Sequence, residues 1–213
     1  MKVYHGSKRI IETPIVHGSN PSNDYGPAFY ITREIESAHE WACRNNTIGV
    51  VNVYQLNIEG LTVLDLRDYS PLHWIAILLH FRTLDDGFKN SFAKRLEFLE
   101  DHYFIDVDNY DMVIGYRADD AYFRFPLDFI RGNITLEQLE ASFANGDLGI
   151  QYALISSKAI NSIKFVNKVD SSQQYINKYF DRVRNATKAF DELDKDIDGT
   201  RIQDIMRGNK WFI

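Results

Sequence analysis

Three stretches of the chain combine residue types that can bind a ligand and act on it. His5, Gly6 and Ser7 follow a short β-type run, Tyr30 stands in a second aromatic-rich run, and Trp41 lies further on. A histidine can hydrogen-bond a hydroxyl group, the backbone at a glycine can pair with an amide, and aromatic rings can sandwich a flat base. These residues therefore predict a site for a polar ligand that contains a ring.

Short elements must position these side chains. Val3 and Tyr4 favour an extended backbone and Gly6 permits a close approach, so His5 is predicted to end an N-terminal strand that faces a cleft. Taken alone, His-Gly-Ser also fits an ordinary strand that runs into a turn. The residues from Phe29 to Thr32 predict a second strand, and residues 34–45 predict a helix that carries Trp41.

Further strands and helices alternate along the rest of the body. Strands are predicted at residues 49–58, 62–66, 110–115, 151–156 and 162–166, and helices at residues 72–82, 88–102, 135–146 and 157–161. From residue 170 the aromatic and apolar residues recur at helical spacing, which predicts an amphipathic helix. The pattern indicates an α+β fold with a mixed sheet at residues 1–166 and a helical tail at residues 167–213.

Composition limits the classes of function. The chain has 213 residues, 45% of them hydrophobic, and can bury a sizeable core. A net charge of −6 argues against a broad basic surface for nucleic acid. The net charge of the whole chain does not reveal whether a local basic groove is present. Cys43 is the only cysteine, and no secretion signal or membrane-spanning run is visible, so we expect a cytoplasmic protein with no membrane association.

The order of the motifs resembles a known group of enzymes. His5-Gly6-Ser7, then the strand Phe29-Tyr30-Ile31-Thr32, then a helix with Ser37 and Ala38, is similar to the nicotinamide-binding half of ADP-ribosyltransferases of the diphtheria-toxin and poly(ADP-ribose) polymerase type. The later motifs, Asp-x-Val-Ile-Gly and Gln151-Tyr-x-x-x-Ser, resemble a bacterial ADP-ribosyltransferase-like family that commonly occurs beside a small antitoxin-like protein. The resemblance covers residues 2–166 and implies a split mixed sheet with flanking helices.

The resemblance also implies roles for single residues. It makes His5, Tyr30 and Gln151 the catalytic set, and it makes His5, Gly6, Ser7, Tyr30 and Trp41 the residues that bind NAD, the substrate. In these enzymes a tyrosine is usual where Trp41 stands, and a glutamate is usual where Gln151 stands. A glutamine can bond a ribose hydroxyl but carries no negative charge. Asp119, Asp120, Glu137 and Glu140 are alternatives for the missing carboxylate.

The resemblance and its departures predict the function together. We expect an NAD-dependent mono-ADP-ribosyltransferase that forms no polymer and acts as the toxin of a toxin–antitoxin pair, on an acceptor that is a protein or a nucleic acid. The alternative is a module that holds NAD or ADP-ribose without turnover, or a scaffold that binds a partner. The tail is expected to pack on the body, to dock the antitoxin or to cover the cleft.

Two patterns that mimic metal sites are set aside. The first half of an EF-hand loop begins at Asp194, but Ile205 stands where a bidentate glutamate is required. His73 and His80 lie seven residues apart on one predicted helix with no third ligand nearby. No metal is expected.

Overall fold

The computed structural model describes residues 1–118, 122–145, 149–192 and 198–208. Within these ranges the chain forms seven strands and eight α-helices. The strands are β1 (Lys2–Ser7), β2 (Phe29–Ile31), β3 (Val50–Leu56), β4 (Val63–Asp65), β5 (Met112–Tyr116), β6 (Ile150–Leu154) and β7 (Ile163–Asp170). The helices are α1 (Ile35–Cys43), α2 (Pro71–Phe81), α3 (Asp86–Tyr103), α4 (Arg124–Arg131), α5 (Leu136–Asn145), α6 (Ser157–Asn161), α7 (Gln174–Asp191) and α8 (Ile202–Met206).

The strands form two sheets that meet at one bridge. The first sheet is antiparallel and has the order β1-β3-β7, while the second has the order β2-β6-β5-β4 and pairs β4 parallel to β5. Tyr4 of β1 and Thr32, just after β2, exchange two backbone hydrogen bonds of 2.8 and 2.9 Å, and these join the sheets. The predicted α+β class with a split mixed sheet and flanking helices is confirmed.

Alternation along the strands produces two cores. Met112 and Ile114 of β5 face the first sheet, where they pack in one cluster with Val3 and Tyr54, whereas Val113 between them faces the helices. The larger cluster on that helical side is built around α2, whose Trp74 is fully buried. The second sheet is therefore buried on both faces, which gives a stable base for residues at its strand ends.

Local sequence signals account for several boundaries. Pro71 occupies the first turn of α2 after the Ser70 cap, as its fixed φ favours. The predicted capping box before α5 is present, since Gln138 N donates to Thr135 Oγ1 and Thr135 N donates to Gln138 Oε1. No helix in the described part of the chain is long and apolar enough to cross a membrane.

The tail is continuous with the body. The strand predicted at residues 162–166 extends to Asp170, so the predicted domain boundary at residue 166 falls inside β7. Beyond it, α7 packs against α1, and the short helix α8, which the sequence pattern did not predict, buries Ile202 completely. Residues 194–197 of the partial EF-hand pattern lie outside the described residues.

Candidate active site

A cleft of about 760 Å³ lies where the two sheets meet. Ligand pockets in proteins commonly enclose about 300–1,000 Å³, so this cleft can take a nucleotide-sized molecule. The residues predicted for the site from sequence, His5, Gly6, Ser7, Tyr30, Trp41 and Gln151, all line it. Residues far apart in sequence therefore converge on one cavity.

His5 is held in a defined orientation within β1, which continues to Ser7 rather than ending at His5 as predicted, because Gly6 and Ser7 also pair with β3. Its Nδ1 lies 2.6 Å from the carbonyl oxygen of Tyr30, and its ring stacks on Phe29 with centroids 4.5 Å apart. Because a carbonyl oxygen only accepts hydrogen bonds, Nδ1 carries the proton. Burial lowers the pKa of His5, and the nearby charge of Arg44 lowers it further, although the bond to Tyr30 opposes this. The ring is therefore neutral at pH 7, with Nε2 as an acceptor.

Gly6 serves both the backbone and the packing of the site. Pairing with β3 uses the backbone groups of Val3, His5 and Ser7, so Gly6 directs its N–H and C=O to the opposite edge, where Tyr4 pairs with Thr32. A Cβ at Gly6 would also lie 2.0 Å from Ala38 O in α1. The glycine thus lets α1 approach β1 while it presents an amide donor and acceptor toward the cleft.

Tyr30 is anchored through its hydroxyl group. Tyr30 Oη donates to Gly26 O at 2.7 Å and accepts from Tyr25 N at 3.0 Å, which ties the ring to the turn before β2. Burial, with the charge of Asp24, raises the pKa of Tyr30. The phenol is therefore neutral, and its ring is the part of the side chain that can contact a flat ligand. Tyr25 lies in this turn and is fully buried.

Trp41 is a half-buried aromatic that also orders cations. The guanidinium of Arg44 lies 4.3 Å above its ring, and that of Arg117 lies 5.6 Å from the ring centroid. Such contacts contribute roughly 0.5–2 kcal/mol each. Trp41 therefore places positive charge at the cleft wall in addition to offering an aromatic surface.

Gln151 is hydrogen-bonded to a buried carboxylate, a contact that the sequence did not predict. Its Nε2 donates to Asp24 Oδ2 at 2.8 Å, across 127 positions of sequence, and lies 3.4 Å from Tyr116 O. Ala118 N donates to the same Asp24 oxygen at 2.8 Å, while Arg82 lies 3.6 Å from the other one. Both Asp24 and Gln151 are 7% exposed. The neutral amide thus has a buried carboxylate directly behind it.

A buried asparagine shapes the loop after β1. Asn52 is fully buried, accepts from Ile11 N at 2.8 Å, and directs its amide toward Ser7 Oγ, His5 O and Arg9 O. The Ser7 hydroxyl also donates to Arg9 O. The hydroxyl that was predicted to contact a ligand therefore already braces this loop. An asparagine inside an otherwise apolar strand is the sequence signal that could have identified Asn52.

The cleft is cationic although the chain as a whole is acidic. Its lining includes five basic side chains: Lys8, Arg9, Arg44, Arg82 and Arg117. Among the described residues that line it, Asp24 is the only carboxylate. Clustered positive charge in a cleft concentrates anionic ligands. No sequence motif marks these basic residues, because they are dispersed along the chain.

The tail borders the cleft through α7. Arg182 pairs with Glu40 at 2.5 Å with both side chains largely buried, Tyr175 stacks on His39 at 4.3 Å, and Tyr179 lines the cleft. The tail therefore packs on α1, the helix that carries Trp41. This is the packing expected from its apolar pattern, and the side chains of Ala186 and Phe190 in that pattern are outside the description.

The alternative carboxylates are placed elsewhere or are not described. Asp119 and Asp120 lie outside the described residues. Glu137 accepts from Thr200 N and Thr200 Oγ1, each at 2.9 Å, and so holds the tail, while Glu140 is exposed; neither lines the cleft. His73 and His80, set aside as metal ligands, bond Tyr103 O and Glu100 respectively.

Fold and site together define an α+β protein with a cation-lined cleft at the junction of two sheets. The chain belongs to the family described as Protein of unknown function (DUF3990), whose model matches residues 1–165. That match ends within β7, before α7 and α8. Neither a search of curated proteins nor a search of solved structures found a significant match.

Proposed function

We propose that this chain binds NAD in the cleft and transfers ADP-ribose to a macromolecular acceptor. The observation that supports this most is the convergence of His5, Gly6, Tyr30 and Gln151 on one cleft lined by five basic side chains. The amide-pairing edge at Gly6 suits a carboxamide, and the basic residues suit a pyrophosphate. The size of the cleft suits a dinucleotide.

The proposed reaction needs positioning and stabilisation of charge. The bond between C1′ of the ribose and the nicotinamide nitrogen breaks, and its electron pair leaves with nicotinamide. The acceptor nucleophile supplies the pair for the new bond at C1′ and loses its proton to solvent. Neutral His5 and the Oε1 atom of Gln151 are acceptors for ribose hydroxyls, and the anchored ring of Tyr30 is a surface against which nicotinamide can stack.

The test compares His5→Ala with the wild-type chain. Nicotinamide release from NAD and growth of bacteria that express each form are measured together. Loss of the His5 contact should lower nicotinamide release roughly 5-fold or more, since one lost polar contact to a bound ligand is worth about 1 kcal/mol or more. Mass spectrometry of modified protein and nucleic acid from the same cells identifies the acceptor.

A matched histidine controls for general effects of the substitution. His102 is exposed near the end of α3 and does not line the cleft. His102→Ala should therefore retain wild-type nicotinamide release and toxicity, with thermal unfolding measured for all three proteins. Equal nicotinamide release by wild type and His5→Ala, or none from wild type with any cellular fraction, would refute the enzyme proposal.

A second function is favoured by one observation. Gln151 is neutral and its Nε2 is already bonded to Asp24, so the chain can hold NAD or ADP-ribose as a binding module without turnover. Calorimetry with NAD separates the two: binding with no nicotinamide released on long incubation supports the module. A pure scaffold for a partner protein predicts no NAD binding.

The type of product, the cellular location and the partner protein belong to the same proposal. We propose mono-ADP-ribosylation rather than polymer formation, a cytoplasmic site of action, and a small antitoxin protein as partner. The resemblance of the motif order supports these points. The test screens small proteins encoded by neighbouring genes: co-expression with the antitoxin should relieve toxicity and allow both proteins to be purified together, and toxicity that persists with every such protein would contradict the pairing.

A further inference from the structure

Asp24 stands out among the residues that sequence reasoning passed over. It lies in the turn before β2, it is almost completely buried, and it is the only carboxylate among the described residues that line the cleft. Burial of a carboxylate is costly unless hydrogen bonds and positive charge compensate it. Here Ala118 N, Gln151 Nε2 and the Arg82 guanidinium provide that compensation.

The contact with Asp24 fixes the amide of Gln151. A carboxylate oxygen and the carbonyl oxygen of Tyr116 can only accept hydrogen bonds, so both require that Gln151 directs Nε2 toward them. Oε1 is then the amide atom that this contact leaves for a ligand. A negative charge behind Nε2 polarises the amide and makes Oε1 a stronger acceptor.

We propose that Asp24 is a positioning residue that supplies, through Gln151, the negative charge that this transferase needs. This inference rests on the proposed function. Breaking the bond at C1′ develops positive charge on the ribose, and the new bond to the acceptor removes it. In bound NAD the positive charge lies on the nicotinamide ring, and in the transition state it moves to the ribose. A buried anion held behind Gln151 favours that transition state over the ground state, because its field is directed at the ribose and is fixed before the reaction begins.

Asp24→Asn removes this charge with little change of shape. Ala118 N and Gln151 Nε2 both donate to Oδ2, so an asparagine whose oxygen takes that place keeps both bonds. We expect kcat for nicotinamide release to fall roughly 10- to 100-fold, below the 100- to 1,000-fold typical for a group in direct contact with developing charge. NAD affinity measured by calorimetry should change little, because the lost interaction forms in the transition state.

The double variant Asp24→Asn with Gln151→Glu moves the charge to the other side of the same hydrogen bond. The amide introduced at position 24 donates to the carboxylate introduced at position 151, which faces the cleft, so kcat should return to within about 3-fold of wild type or exceed it. Turning that amide removes the acceptor of Ala118 N, so the double variant should be less stable than wild type. If Asp24→Asn alone does not fold, recovery in the double variant still supports the inference.

The outcomes separate this inference from the proposed function. If wild type binds NAD but releases no nicotinamide, the proposed function fails before Asp24 is tested. If wild type is active and Asp24→Asn keeps its kcat, Asp24 has no such role. A double variant that folds and binds NAD but stays as slow as the single variant also overturns the inference. Asp101→Asn, the same change at an exposed carboxylate of α3 that does not line the cleft, is the control and should leave kcat within about 3-fold of wild type.

Discussion

Replacement of Gln151 by glutamate is the most informative single test of the structure. Resemblance to the transferases suggests that this change should restore the usual catalytic glutamate. The structure predicts that it should destabilise the fold, because the new carboxylate oxygen would lie about 2.8 Å from Asp24 Oδ2, the distance that now separates Nε2 from that oxygen. At an effective dielectric constant of about 20, two charges at that separation repel by about 6 kcal/mol.

The buried pair should avoid this repulsion by taking up a proton. Protonating a glutamate with an ordinary pKa of about 4.3 costs about 4 kcal/mol at pH 7 and about 1 kcal/mol at pH 5. These figures are upper limits for the loss of stability, since Arg82 lies 3.6 Å from Asp24 and offsets part of the charge. The pKa of the introduced glutamate would be higher in the folded than in the unfolded chain, so its destabilising effect is absent well below pH 4.3 and grows as pH rises.

Urea unfolding at pH 5 and pH 7 measures this difference. We expect Gln151→Glu to lose about 2–4 kcal/mol at pH 7 and no more than about 1 kcal/mol at pH 5. Adding Asp24→Asn should restore part of the loss at pH 7, because an amide then faces a carboxylate again. Wild-type stability at pH 7, or an equal loss at both pH values, would show that Gln151 and Asp24 are not in contact.

Three further substitutions test the supports of the cleft. Asn52→Ala should lower the free energy of unfolding, measured in urea, by about 2–4 kcal/mol, because the buried polar groups that it bonds lose their partner. The control Asn57→Ala, at an exposed residue, should cost under about 0.5 kcal/mol. Equal losses for the two variants would refute the bracing role of Asn52. Gly6→Ala should lower stability by about 1–3 kcal/mol, since its Cβ would meet the backbone of α1, and an unchanged thermal midpoint would contradict that packing. Burial lowers the pKa of His5, so stability should fall as pH drops below about 6.5, where the unfolded chain binds the proton more strongly. His5→Gln should reduce this fall in thermal scans between about pH 7.5 and 5, exposed His102→Gln should leave it unchanged, and identical curves for all three proteins would exclude His5 as its source.

Much of the local structure follows from sequence because it depends on neighbours in the chain. Short apolar runs identified β3 and β5, and the Thr135 and Gln138 spacing identified the start of α5. These signals operate over a few residues and therefore survive without tertiary information. The extension of β7 past residue 166 was not predicted, since its residues are mostly exposed and show little apolar pattern.

The candidate site divides in the same way. The resemblance of the motif order to the transferases was enough to choose His5, Gly6, Tyr30 and Gln151, and the fold brings them to one cleft. The basic residues of that cleft come from separate segments of the chain, and the net negative charge of the whole chain gives no sign of their clustering. Only the packing of the two sheets reveals the local charge.

The pairing of Asp24 with Gln151 shows most clearly what tertiary structure alone decides. Sequence determined that position 151 holds an amide, and from this it suggested a weakened site. The folded chain places a buried carboxylate 2.8 Å behind that amide, across 127 residues. No local pattern encodes such a contact, because it arises where the turn before β2 meets the start of β6. The chemistry of Gln151 therefore depends on a neighbour that only the fold supplies.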